Sequence, residues 1–308
     1  MYKKLALVAL LAPVAFFVIA KPHLSLYEDT RNFLAATFFV PSITISDLRE
    51  KYIDAERTGE KIKIVLVPGH EPHFGGAEFG KLKERDMNVD LAQELKDNLQ
   101  KNKRFEVIIT RDKDSWNPKL ERYFDNNWDA IKDFTKIKKT EMNLLIAEGK
   151  VKKVFSGIEH NNAPGDVAYR LFGINRWSRD IGADVLIHIH FNDYPRSRAY
   201  LPGKHKGFAI YIPDKQYSNS VATKEIATNV FERLEDFFVI SDLPEEDIGI
   251  IESQDLIAIG QSNTLDAASI LIEYGYIYRP QFARQVSRAS LMEQMAEQTY
   301  LGLQDSFK

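Results

Sequence analysis

From Lys61 onward, apolar positions fall into short continuous runs separated by stretches with a helical repeat. Residues 62–67 form an apolar, β-branched run broken only by Lys63, and the run stops at Pro68-Gly69, so it reads as a buried strand. Asp86 stands where it can cap a helix in which Leu91, Leu95 and Leu99 recur every four residues. Residues 105–110 give the next strand, helical patterns fill 119–149 and 166–181, and residues 184–190 give a third strand. A fourth strand at 207–212 precedes a helix near 221–238 that places Ile226, Val230 and Leu234 on one stripe. Residues 268–273 supply a fifth strand and 282–303 a closing helix. This alternation predicts an α/β fold with a single open, mostly parallel sheet flanked by helices on both faces. Ligands of such sheets bind beyond the carboxyl ends of the strands.

The first sixty residues follow a different pattern. Lys3 and Lys4 precede an uncharged apolar run, 5–20, that ends at Lys21. At about 1.5 Å per residue the run reaches roughly 24 Å, short of a hydrocarbon core of roughly 30 Å, and Pro13 interrupts it. It reads as an export signal, with Val18 and Ala20 spaced for cleavage after Ala20; an uncleaved amino-terminal anchor in the membrane is the alternative. A second apolar patch, 33–40, is too short to span a bilayer and is expected to pack on the domain or lie beside the membrane. The chain thus divides into a leader or anchor at 1–20, an extension at 21–60 and an α/β unit at 61–308.

Composition narrows the chemistry. Among 308 residues, 41 Lys and Arg face 44 Asp and Glu, and the formal net charge of −3 disfavours a nucleic-acid partner held by phosphate neutralisation. An apolar fraction of 44% is enough for a sizeable core. The absence of cysteine excludes disulfides, a thiol nucleophile and every Cys-ligated zinc or iron–sulfur site. A metal must therefore be held by His, Asp or Glu.

Four such residues fall near strand ends. His70 follows the first strand, His190 closes the third, Glu84 lies just before a helix, and Glu273 ends the run Ser269-Ile-Leu-Ile. Two imidazoles and a carboxylate are the protein ligands of a catalytic zinc with one position open for water, and a further carboxylate can serve as general base. Taken singly, a strand histidine is more often a hydrogen-bonded structural residue, and a glutamate before a helix is more often a surface group near the dipole. Glu273 stands apart, because an acid closing an apolar strand is expensive to bury without a partner.

These residues also carry a family pattern. Val67-Pro-Gly-His70, Lys83-Glu-Arg-Asp-Met-Asn88, Val107-Ile-Ile-Thr-Arg-Asp112, Gly182-Ala-Asp-Val-Leu-Ile-His-Ile-His-Phe-Asn192 and Ile270-Leu-Ile-Glu-Tyr-Gly-Tyr276 resemble, in order, the blocks of the zinc-dependent N-acetylmuramoyl-L-alanine amidase catalytic domain. The resemblance covers residues 61–308. It implies one zinc per chain on His70, Glu84 and His190, with Glu273 as the catalytic glutamate. It also implies that the substrate is peptidoglycan, cut between N-acetylmuramic acid and L-alanine in the periplasm or cell envelope, in agreement with an export signal. Three departures accompany it. The family's glycine pair after the first histidine is displaced here by Glu71-Pro-His-Phe, which makes His73 a rival ligand or a loop residue. His188 replaces a small residue and shares a strand face with His190, so it is expected to touch the metal or to hold a ligand. The segment at about 113–183 is longer than its family counterpart, as a lid over the active-site edge or a solvated helical excursion. Zinc hydrolysis of another amide or peptide, and a non-catalytic peptidoglycan-binding envelope protein, are the competing function classes.

Overall fold

In the computed structural model, which describes residues 41–157 and 163–308, the strand patterns assemble into one six-stranded sheet. The apolar run at 5–20 and the patch at 33–40 lie outside the described residues. In chain order the strands are β1 (Ile62–Pro68), the short pair β2 (Glu78–Phe79) and β3 (Leu82–Lys83), β4 (Phe105–Ile109), β5 (Val185–Asn192), β6 (Ala209–Pro213), β7 (Ile250–Ser253) and β8 (Ala268–Tyr276). The main sheet has the order β4-β1-β5-β8-β6-β7, while β2 and β3 pair separately. β4, β1, β5 and β8 are mutually parallel; β6 runs antiparallel to β8, and β7 follows β6. The expected open, mostly parallel sheet is therefore present, with one more strand than the apolar runs suggest. β7 is four residues long and carries Glu252, too short and too polar to stand out by pattern.

Period-two alternation divides each strand between two cores. Ile64 and Leu66 of β1, Ile187, Ile189 and Phe191 of β5, and Ile270, Ile272 and Tyr274 of β8 face one side. There they meet α1 (Ile45–Thr58), α2 (Glu84–Leu99), α5 (Ser220–Glu235) and α7 (Gln285–Ser306), the last preceded by the single turn α6 (Pro280–Ala283). The labels α3 and α4 belong to Pro118–Ala147 and Gly165–Asp180, which pack Leu120, Phe124, Ile131, Phe172 and Trp177 against Val65, Val67 and Leu186 on the other side. Each fully buried aliphatic or aromatic side chain contributes about 1.5–3 kcal/mol. Helices thus cover both faces.

Two boundaries differ from the sequence reading. α1 lies within the stretch taken as an extension, yet it belongs to the main core. Thr44 caps it reciprocally with Asp47, and the ring of Tyr52 sits 5.5 Å from Phe105 and 5.7 Å from Phe307. The segment 113–183, expected as an insertion, supplies α3 and α4. It is one layer of the fold, because removing it would expose Val65, Val67 and Leu186. Among the described residues no helix is long and apolar enough to cross a membrane.

Candidate metal centre and active site

β1 delivers the chain into a tight turn at the carboxyl edge of the sheet. Gly69 has no alternative there: a Cβ at that position would lie 2.2 Å from Cε1 of His190. His70 follows in the left-handed region, with φ of +70°. Glu71 N–H donates to the Phe74 carbonyl at 3.1 Å, closing residues 71–74 into a turn, and Gly75 and Gly76 lie beside the His70 ring. Gly76, at φ of +82°, would place a Cβ 2.9 Å from His70 Cδ2.

Glu84 is the first residue of α2, with Lys83 at the cap position; Asp86 sits inside the first turn instead of capping it. Ala77 N–H donates to Glu84 Oε2 at 2.8 Å and Phe191 N–H to Oε1 at 3.2 Å, while Asn88, one turn along the helix, reaches Oε1 at 3.5 Å. His70 Nε2 lies 2.9 Å and His190 Nδ1 3.1 Å from the same Oε1. Burial alone would raise the Glu84 carboxyl, but the hydrogen bond from His190, the close approach of His70 and the charge of both rings overcome it and hold the group well below the usual carboxylate range. Burial lowers the His190 imidazole, opposed by Glu84, which favours the neutral ring that a metal requires. One donor atom from each of His70, Glu84 and His190 lies within 4.8 Å of the others. The His70 and His190 side chains keep 28% and 17% of their surface exposed, so the cluster opens to solvent.

Glu273 completes the edge. Its Cα is the register partner of His190 on β5, and alternation points both side chains away from the Ile189 and Ile272 core. Glu273 Oε2 is buried without a hydrogen-bond partner. Burial, then the charges of Glu84 and Glu246, raise its carboxyl well above the ordinary value. β5 runs two residues past His190, to Asn192, through a register shift against β8, whereas the sequence suggested that the strand ends at the histidine.

The other candidates lie outside this group. His73 is exposed on the Glu71–Phe74 turn. Glu71 is held by Arg170 of α4 at 2.9 Å. His188 shares the face of His190 as alternation predicts, but it is buried one residue pair deeper. Burial and the charge of His190 push its imidazole down to about 3, against a hydrogen bond to the Ala258 backbone. Two contributors were not singled out from sequence. Arg111, buried in the Thr-Arg-Asp block, donates to the carbonyls of Pro68 at 3.1 Å, Arg85 at 2.9 Å and Gly69, so it ties the His70 turn to the start of α2. Burial brings its guanidinium down to about 10. Glu246, the second, sits in a run of acids that reads as a solvated turn.

The comparisons with known proteins agree with this geometry. Residues 64–305 match the family model Amidase_3, described as N-acetylmuramoyl-L-alanine amidase. The chain belongs to this amidase family. A relative from Buchnera aphidicola subsp. Acyrthosiphon pisum, provisionally named N-acetylmuramoyl-L-alanine amidase, is 24% identical over 261 residues, 80% of this chain and 95% of its own. Among solved structures, the CwlD amidase of Clostridioides difficile, determined in complex with the GerS lipoprotein, has a TM-score of 0.51 at 17% identity, covering 80% of this chain and 98% of that one. The Mycobacterium smegmatis amidase Ami1 has a TM-score of 0.52 at 11% identity, with 80% and 96% covered. Both share the amidase fold.

Proposed function

We propose that this amidase is a zinc-dependent hydrolase of peptidoglycan that cleaves the amide between N-acetylmuramic acid and L-alanine, and that it works in the cell envelope. The observation that carries this reading is the convergence of His70, Glu84 and His190 at the open edge of the sheet beside an unpartnered Glu273 carboxylate oxygen. The donor set fits zinc, since two neutral imidazoles and one ionised carboxylate leave a position free for substrate water. The close approach of His70 Nε2 to Glu84 without hydrogen-bond geometry fits it too, as two ligands turned toward a shared point would be placed that way.

His70, Glu84 and His190 would hold the ion, one per chain. Zinc bound there supplies an acidified water, with a pKa toward about 7, and positive charge for the amide carbonyl oxygen. Glu273 would take the proton of the attacking water and return it to the amide nitrogen as that bond breaks. Glu84 stays ionised and fixed by Ala77 and Phe191, and Arg111 holds the backbone that carries His70. The envelope location rests on the substrate class of the family and on the apolar run at 5–20.

Mass spectrometry of purified peptidoglycan after digestion tests the reading. Free stem peptides beginning with L-alanine, beside intact glycan strands, are expected, with release abolished by chelation and restored by zinc. Unchanged muropeptides in the presence of zinc would overturn it.

A further inference from the structure

Beside Glu273 lies a second buried carboxylate. Glu246 is 1% exposed, in the connection between α5 and β7, and it has no cation against it among the described ion pairs. Its partners are four neutral donors. Oε1 accepts from Tyr211 Oη at 2.6 Å and Asn192 Nδ2 at 3.0 Å; Oε2 accepts from Tyr276 Oη at 3.1 Å and from Ser241 Oγ. Ser241 Oγ and Tyr276 Oη also lie 3.2 Å apart, which closes the group into a ring of contacts.

The places these donors come from give the cluster its meaning. Asn192 ends β5 immediately after the register shift that follows His190. Tyr276 ends β8, three residues beyond Glu273. Tyr211 is on β6, the strand whose Ala209 is the register partner of Glu273 on its other side. One carboxylate thus fastens together the two strands that flank Glu273 and the end of the strand that carries it. Removing the carboxylate would leave four donors without their acceptor, so its contacts hold these strand ends in one arrangement relative to each other.

We propose that Glu246 is a positioning residue for the amidase reaction, holding the ends of β5, β8 and β6 so that Glu273 is fixed against the edge formed by His70, Glu84 and His190. None of the four donors reaches Glu273 Oε2, which is left without a hydrogen-bond partner on the strand face it shares with His190. Glu246 touches neither the candidate ligands nor, by its saturated contacts, the substrate. Its effect passes through Asn192, Tyr276 and Tyr211. This role rests on the hydrolase reading above.

The test compares Glu246→Ala, Glu246→Gln and wild type, all full-length and zinc-loaded. In Glu246→Ala, kcat for stem-peptide release should fall about 100-fold while KM stays within about threefold, as a misplaced reacting group predicts. Zinc content should remain near one per chain. Glu246→Gln, whose amide can still engage hydroxyls that both donate and accept, should recover most of the loss. Crystal structures should show the Glu273 carboxylate displaced relative to His190 in the alanine variant. A folded alanine variant with wild-type kcat, or with Glu273 unmoved, would overturn the proposal. Should that variant not fold, Tyr211→Phe and Tyr276→Phe each remove one donor while keeping the ring, and unchanged kcat in both is equally decisive. A wild type that releases no stem peptide refutes the hydrolase reading instead; the displacement of Glu273, read crystallographically in whichever variant folds, then decides the positioning role by itself.

Discussion

The two faces of β5 and β8 are built from the same strands and do opposite things. On one face Ile187, Ile189 and Phe191 lie beside Ile270, Ile272 and Tyr274, and helices bury all six. On the other, Leu186, His188 and His190 lie beside Ser269, Leu271 and Glu273, growing more polar toward the carboxyl ends. A shift of one residue in the register of either strand would exchange these sets, driving a histidine or glutamate into the core and an isoleucine into the site. The apolar face therefore enforces the register on which the chemistry of the other face depends.

Substitutions at adjacent positions should separate the two faces. The largest contrast is expected between His190 and Ile189. His190→Ala should lose most of the zinc and essentially all hydrolysis while retaining the fold, read by elemental analysis and circular dichroism. Ile189→Ala should keep near one zinc per chain and lose about 2–5 kcal/mol of stability in denaturant unfolding. Wild-type zinc content in His190→Ala would remove it from the ligand set. The second pair repeats the contrast on β8. Glu273→Gln should cut turnover by about 10²–10⁴ with zinc, stability and binding to insoluble peptidoglycan preserved, whereas Ile272→Ala should act on stability alone. Unimpaired release by Glu273→Gln would send the search for a base elsewhere.

A smaller effect belongs to the turn between the faces. Gly69→Ala puts a methyl group into the space of the His190 ring, so zinc affinity in a competition titration should weaken about 10- to 100-fold, the range for groups that orient metal ligands. Unchanged affinity would mean that the turn yields easily. Smallest of all, Arg170→Ala removes the partner of Glu71 at a partly buried contact and should cost about 1 kcal/mol in thermal unfolding, with zinc content unaltered. A drop in zinc content would make α4 a support of the metal centre.

His70, His190 and Glu273 were legible as candidates because they stand where apolar strand patterns end, and Glu84 because it stands at the start of a helical repeat. The position of Gly75-Gly76 beside His70 was not legible, since it depends on a turn closed by one backbone hydrogen bond. Glu246 was hidden for a similar reason. Pro244-Glu-Glu-Asp247 has the composition of a solvated loop, and only the packing of β6 and β8 beneath it makes one of its acids the most enclosed. The reversal of β6 likewise leaves no trace in periodicity, because alternation is blind to strand direction. The second-face helices were visible as helices, but their abundant Lys, Asp and Glu masked the stripe of Leu120, Phe124 and Ile131.

The strand order also governs when a hydrolytic edge can exist. Ile64 of β1 pairs with Val185 of β5, and Val185 pairs in turn with Ala268 of β8, so both neighbours of the central strand are far from it along the chain. Closing such distant pairs is slow, and the pairing of β5 with β8 cannot form while a chain emerging from the ribosome has yet to deliver β8. Of the four candidate residues Glu273 arrives last, on the last strand of the sheet. A growing or shortened chain therefore carries His70, Glu84 and His190 without the strand that brings Glu273 beside them, and the cutting edge comes into being only with the finished molecule.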